Sequence, residues 1–122
     1  MKLKKPILTS LITLCLLLTA LLIGYKTSVK ASPDVIYVPT NYPTIQEAIN
    51  NANPGDTVFV YNGTYQENII VNKSVTLIGE DRETTIIDGG GKGSVIFVTA
   101  NNVNIKGFTI QNSGTALYDS GI

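Results

Sequence analysis

The chain contains no histidine, and its single cysteine and single methionine, Cys15 and Met1, both lie near the N-terminus. The long segment that follows therefore has no imidazole, thiol or thioether side chain. These absences exclude a disulfide, a serine–histidine nucleophile and the side chains that copper and other soft metals prefer. The folding of that segment depends on apolar burial and backbone hydrogen bonds.

The first 31 residues differ in composition from the rest and are set apart from the fold. Their start is basic, with Lys2, Lys4 and Lys5, and an uncharged apolar stretch follows from residue 7 to residue 23. That stretch is longer than a signal-peptide core of about 7 to 15 residues and shorter than a spanning helix of about 20. Two alternatives stay open: a signal peptide cleaved after Ala31, and an N-terminal membrane anchor through residues 7–25. Both predict an extracytoplasmic protein, secreted or at the cell surface.

The formal net charge of zero hides an asymmetry between the two parts of the chain. Five of the nine basic residues precede Ser32, which leaves four basic residues against nine acidic ones in residues 32–122, a net charge of −5. A negative surface repels polyanions. The exported part is therefore not expected to bind nucleic acid or anionic lipid through charge.

Two phrases in the second half of the chain repeat the same alternation of apolar residues. Val75, Leu77 and Gly79 match Val103, Ile105 and Gly107, which follow 28 residues later. Strand-length phrases at this spacing, separated by Asn, Gly and Asp, predict stacked β-coils. Because no segment after residue 53 leaves room for a crossover helix, each strand is expected to pair in parallel with its equivalents in the adjacent turns.

One short helix is predicted before the coils. Thr44 and Glu47 have the spacing of a capping box. Apolar side chains follow at the spacing of one helix face, namely Ile45, Ala48, Ile49 and Ala52. We expect this helix to cover the open lower end of the β-stack. An ordinary surface helix of an α+β domain is the alternative.

The stretch YPTIQEAINNANPGDTVFVYNGTYQENIIVNKSVTLIGE, followed by TIIDGGG and NVNIKGFTIQNSG, resembles the start of right-handed parallel β-helix repeat proteins. These belong to the pectate-lyase-like superfamily, and the chain is most similar to NosD-like and related surface β-helix proteins over Val35 to Ile122. The resemblance implies an all-β, right-handed parallel β-helix with a short N-terminal capping α-helix, preceded by a hydrophobic leader helix. Residues 32–122 would then be the cap and the first two to three coils.

The superfamily includes lyases, hydrolases, esterases, polysaccharide-binding surface proteins and copper-maturation accessories, so the fold does not select an activity. The sequence GTYQE, residues 63–67, matches the GxYxE motif of pectin methylesterases. Such an esterase would use paired aspartates and an arginine on later coils, beyond residue 122. Because the motif has no catalytic partner within this sequence, we interpret Tyr65 as a packed aromatic and Glu67 as a solvated or turn-bonded acid.

Carboxylates are the remaining candidates for binding a hard cation such as calcium. Asp88 precedes three glycines, and a second cluster contains Glu80, Asp81 and Glu83, with Arg82 placed to screen them. Because their spacing does not repeat, we interpret both groups as solvated turns. No catalytic, cofactor-binding or metal-ligating residue is predicted, and no cofactor.

Asparagines mark several predicted turns. Those at Asn101, Asn102, Asn104 and Asn112 could stack their amides between coils or follow plain turn preference, and both interpretations stay open. Asn62 and Asn72 begin the glycosylation motifs NGT and NKS.

These patterns favour an exported, noncatalytic surface or carbohydrate-interacting β-helix scaffold, with polysaccharide or cell-envelope components as partners. The alternative is the N-terminal part of a polysaccharide-active lyase or pectin-esterase-like enzyme whose catalytic residues lie beyond residue 122. The repeat breaks off after Ile110. We therefore expect residues 32–122 alone to be marginally stable and to self-associate through the coil of Ile105, Phe108 and Ile110.

Overall fold

The computed structural model describes residues 31–117 and 120–122. The predicted leader lies outside these residues, except for Ala31. The described part contains, in order, β1 (Val35–Val38), α1 (Ile45–Asn51), β2 (Thr57–Val60), β3 (Gly63–Gln66), β4 (Ile69–Val71), β5 (Thr76–Gly79), β6 (Thr85–Asp88), β7 (Ile96–Val98), β8 (Asn104–Lys106) and β9 (Thr109–Gln111).

The strands form three parallel sheets that the chain visits in turn. The first sheet has the order β1-β2-β5-β8, the second β3-β6-β9 and the third β4-β7. All the strand pairs are parallel. A chain that passes through three sheets and returns to the first is a β-solenoid, here of about four turns. The predicted parallel coil is confirmed.

The repeat seen in the sequence is the register of the first sheet. Leu77 in β5 lies beside Ile105 in β8, as the 28-residue offset predicts, and beside Val58 in β2 on its other side. Val58 and Leu77 are completely buried, whereas Phe59, between two buried valines, is only partly so. Alternate side chains of each strand therefore build a stacked apolar core, and the others face outward.

Backbone contact between coils explains the repeated glycine. A side chain at Gly79 would overlap the carbonyl oxygen of Gly107, and one at Gly107 would overlap that of Gly79. Gly107 also has a φ of +79°, in the left-handed region that favours glycine. The two glycines let one coil lie directly on the next.

Helix α1 forms where the capping box predicts it. The Thr44 hydroxyl accepts a hydrogen bond from the Glu47 backbone N–H at 3.2 Å, and Ile45, Ala48 and Ile49 are buried. The helix packs against β1, β2 and β4, so it covers the first strands of two sheets. It is too short to span a membrane, and the described residues contain no helix that could.

Strand β1 was not identified in the sequence, although it forms the lower edge of the first sheet. Val35–Val38 precedes the helix and pairs in parallel with Thr57–Val60 after it. The four residues are too few to show a period of their own. Their place in the sheet is set by a partner 22 residues away, across α1.

Candidate functional site

Three aromatic side chains lie together on the outer face of the first sheet, and we call Tyr37, Phe59 and Tyr61 the aromatic strip. The parallel register places Tyr37 of β1 directly beside Phe59 of β2. Tyr61 follows the end of β2, two residues beyond Phe59. The neighbouring Val58 and Val60 point into the core, and alternation along the strand directs the strip toward solvent.

The three rings contact one another in favourable aromatic geometries. The ring centres of Tyr37 and Phe59 are 5.9 Å apart with a tilt of 60°, and those of Phe59 and Tyr61 are 5.3 Å apart at 78°. The rings of Tyr37 and Tyr61 are 6.0 Å apart and nearly parallel, at 23°. Tyr37 keeps 39% of its surface exposed and Tyr61 keeps 38%. The strip is thus a continuous aromatic surface open to solvent.

Polar groups hold the backbone around the strip in place. The Asn41 side-chain oxygen accepts a hydrogen bond from the Tyr37 N–H at 2.7 Å. The Tyr65 hydroxyl donates to the Tyr61 carbonyl oxygen at 2.9 Å. Among residues 31–117 and 120–122, the hydroxyls of Tyr37 and Tyr61 have no hydrogen-bond partner. The strip therefore combines fixed rings with two hydroxyls that can bond to a ligand.

The strip was not predicted from the sequence. Its signal is the pair of similar phrases IYV at residues 36–38 and VFVY at residues 58–61, in which aromatic residues occupy the outward positions. Only the parallel pairing of β1 with β2 brings these phrases together.

The GTYQE motif has a structural role in this chain. Glu67 accepts hydrogen bonds from the Ile45 N–H at 2.9 Å and the Gln46 N–H at 3.0 Å, so its carboxylate caps α1. Tyr65 is half-buried against the core. Its burial, with the negative charges of Glu67 and Glu80, raises the pKa of the Tyr65 hydroxyl. These contacts fit the interpretation of a packed aromatic and a bonded acid.

Amide and backbone donors surround Asp88. Its carboxylate accepts from the Gln111 side chain at 3.0 Å, the Asn112 side chain at 2.7 Å and the Gly90 N–H at 2.8 Å. These bonds, the one from Gln111 first, hold the pKa of Asp88 below its ordinary value. Asp88 therefore joins two coils, β6 to the segment at the end of β9.

The second acidic cluster also bonds to backbone. Glu80 accepts from the Asn62 N–H at 2.7 Å, and Asp81 accepts from the Glu83 N–H at 2.8 Å. Within the part of the chain that the structure describes, no group of three or more potential ligands is arranged to hold a metal ion.

Two of the four asparagines singled out near turns adopt a turn conformation, and one of these two also bonds between coils. Asn102 and Asn112 each have a φ of +56°, the left-handed conformation that turns require. Asn112 also bonds between coils, although its partner is the Asp88 carboxylate and not another amide. Asn68, which was not among the predicted residues, also bonds between coils and donates to the carbonyl oxygens of Lys92 at 2.6 Å and Ser94 at 3.0 Å.

Comparison with known proteins gives one informative similarity. The chain is 39% identical over 80 residues to a protein named "Cell surface glycoprotein" from Methanothermus fervidus. The match covers 63% of this chain and 13% of that protein, so the chain spans only a small part of its relative. No protein-family profile and no solved structure matches the chain. The similarity is thus to part of a protein named for the cell surface, and the fold of this chain is a β-solenoid.

Proposed function

We propose that this chain is an exported, noncatalytic surface β-solenoid that binds neutral polysaccharide through the aromatic strip. The cluster of exposed Tyr37 and Tyr61 with partly buried Phe59, on a regular sheet face, carries the proposal. The C–H groups of a sugar ring are slightly positive and pack favourably on the negative face of an aromatic ring. The two tyrosine hydroxyls supply hydrogen bonds to sugar hydroxyls.

Charge favours a neutral sugar polymer over an acidic one. Residues 32–122 have a net charge of −5, and the Glu80 carboxylate bonds to Asn62, directly after the strip. A polyuronate would bring further negative charge to this surface, which is unfavourable at the contact and during approach.

Export and attachment form the second part of the proposal. The basic and then apolar start of the chain supports a leader helix, cleaved or retained as an anchor through residues 7–25. The named relative supports a place at the cell surface. The resemblance to NosD-like proteins supports right-handed winding and membership of the pectate-lyase-like superfamily. The bonds of Glu67 to α1 support a structural role for the acid of the GTYQE motif.

Retention on polysaccharides tests this function. We expect residues 32–122 to bind insoluble β-1,4-glucan or chitin, and to migrate unretarded through gels containing polygalacturonate. The variants Tyr37→Ala and Tyr61→Ala should each weaken binding about tenfold, as the loss of one aromatic contact with its hydroxyl implies. Phe97→Ala is the matched control, because Phe97 is 57% exposed but lies on the third sheet.

Three results would contradict the proposal. The first is no binding of the wild type to any neutral polymer tested. The second is unchanged binding by both tyrosine variants. The third is an equal loss in Phe97→Ala, which would indicate general adsorption of exposed apolar groups. Thermal melting of each variant shows whether a loss of binding reflects unfolding.

A further inference from the structure

We propose that Asn62 is the N-glycosylation acceptor of this chain and that the folded structure protects Asn72. The chain has two motifs of the acceptor type, Asn62-Gly63-Thr64 and Asn72-Lys73-Ser74. The inference rests on the exported location proposed above, where the modification occurs. The structure surrounds the two motifs very differently.

All three residues of the Asn62 motif are exposed. They lie at the start of β3, which is an edge strand of the second sheet. Among the described residues, the side chains of Asn62 and Thr64 make no hydrogen bond, although the Asn62 backbone N–H donates to Glu80 at 2.7 Å. An extended edge with unbonded side chains can enter the groove of a modifying enzyme without local unfolding.

The Asn72 motif is bonded to two other parts of the fold. The Ser74 hydroxyl, which the motif requires, donates to the Asn101 carbonyl oxygen of the next coil at 2.7 Å. The Lys73 ammonium donates to the carbonyl oxygens of Asn50 at 2.6 Å and Ala52 at 2.8 Å, at the end of α1. Asn72 itself is exposed, whereas Lys73 and Ser74 are partly buried. An enzyme that must bind the hydroxyl together with the asparagine can do so only after the bonds of Lys73 and Ser74 open.

The reaction is a transfer from a lipid-phosphate-linked oligosaccharide. The side-chain amide nitrogen of Asn62 bonds to the anomeric carbon of the first sugar, and the bond from that carbon to the phosphate oxygen of the carrier breaks. The carrier leaves with the bonding electrons as a lipid phosphate, and the amide loses one proton to a base. No oxidation or reduction takes place.

In vitro transfer tests the choice between the two asparagines without depending on export or on polysaccharide binding. The folded full chain, in detergent micelles, is incubated with a lipid-linked oligosaccharide and an oligosaccharyltransferase that accepts synthetic peptides of both motifs. Peptide mass spectrometry then measures occupancy at each site. We expect initial modification of Asn62 to be at least about tenfold faster than that of Asn72, because bonds at Lys73 and Ser74 must open first.

Two variants separate the fold from the motif chemistry. The double variant T64S/S74T exchanges the hydroxyl residues, and Asn62 should remain the preferred acceptor. Lys73→Ala keeps the Asn72 motif but removes its bonds to α1, so occupancy at Asn72 should rise. The proposal is overturned if Asn72 is modified as fast as Asn62, or faster, in the folded wild type. It is also overturned if the preferred asparagine in the double variant is the one followed by threonine, or if Asn62 is not modified at all.

Discussion

The buried carboxylate of Asp56 connects the two ends of the segment that contains β1 and α1. It is only 4% exposed. Its two oxygens accept hydrogen bonds from the Asp34 N–H at 2.9 Å, before β1, and from the Asn53 N–H at 2.8 Å, after α1. These two bonds, the one from Asp34 first, hold the pKa of Asp56 below its ordinary value despite burial.

The Asp56→Asn variant should therefore be less stable and respond differently to acid. One of the two backbone donors would face an amide N–H₂ in place of an acceptor, at a cost of about 1–3 kcal/mol in the free energy of unfolding. The folded pKa of Asp56 lies below the unfolded value of about 3.9, so its contribution is complete above that pH. The contribution is lost as the pH falls further, toward the folded pKa.

Urea denaturation of residues 32–122 at neutral pH and through the acid range measures both effects. The Asp34→Asn variant is the control, since that neighbouring side chain is exposed. If the free energy of unfolding of Asp56→Asn depends on pH in the same way as that of the wild type, this carboxylate does not govern the acid response.

Helix α1 depends on a residue from another element. Thr44 provides one cap, but the charged partner of the helix start is Glu67, just after β3 and about one coil further along the chain. The carboxylate accepts hydrogen bonds from two N–H groups that have no partner within the helix, and it lies at the positive end of the helix dipole. Glu67 thereby links α1 to the second sheet.

Glu67→Ala should lower the free energy of unfolding by about 1–2 kcal/mol, the usual range for loss of a charged helix cap. Glu67→Gln should cost less, because its one side-chain oxygen can still accept. Glu47→Ala removes an exposed acid in the same turn and should cost below about 0.5 kcal/mol. Chemical denaturation ranks the three variants. If Glu67→Ala and Glu47→Ala lower the free energy of unfolding equally, Glu67 acts only through its negative charge near the helix start and not through its two hydrogen bonds.

The sequence predicted the elements that have local signals. The capping box predicted α1, and the repeat of Leu77 at Ile105 predicted the pairing of β5 with β8. The aromatic strip has only the weaker signal of the similar phrases IYV and VFVY. The sequence distance between paired residues of the first sheet is not constant, since Val35 pairs with Thr57 but Thr57 pairs with Thr76. Loops of variable length between the sheets change the sequence distance between paired strands, while the stacked core keeps the register of the pairing. Side chains from different coils therefore meet without a fixed period in the sequence.

At the scale of the whole molecule, each coil is stabilised mainly by the coils directly above and below it. The lower side has α1 packed against β1, β2 and β4. On the upper side, β8 and β9 are edge strands of their sheets. The segment Ser120–Ile122 already lies along β7, where the Val95 N–H donates to the Ser120 carbonyl oxygen at 2.9 Å. The core side chains of the upper coil, Ile105, Phe108 and Ile110, are only partly buried.

The segment of residues 32–122 should self-associate through this upper side. Backbone groups along an edge strand can pair with a second copy, and the half-buried apolar side chains favour such a contact. Asn104→Lys adds a charge to edge strand β8 and should weaken association. Thr76→Lys is the matched control, because Thr76 pairs with Asn104 from inside the sheet, on β5. Sedimentation equilibrium over a range of concentrations compares the three proteins. The prediction is contradicted if the wild-type segment stays monomeric at every concentration and melts cooperatively above about 60 °C, near the top of the range for mesophile domains. Such a result would require a closed upper coil.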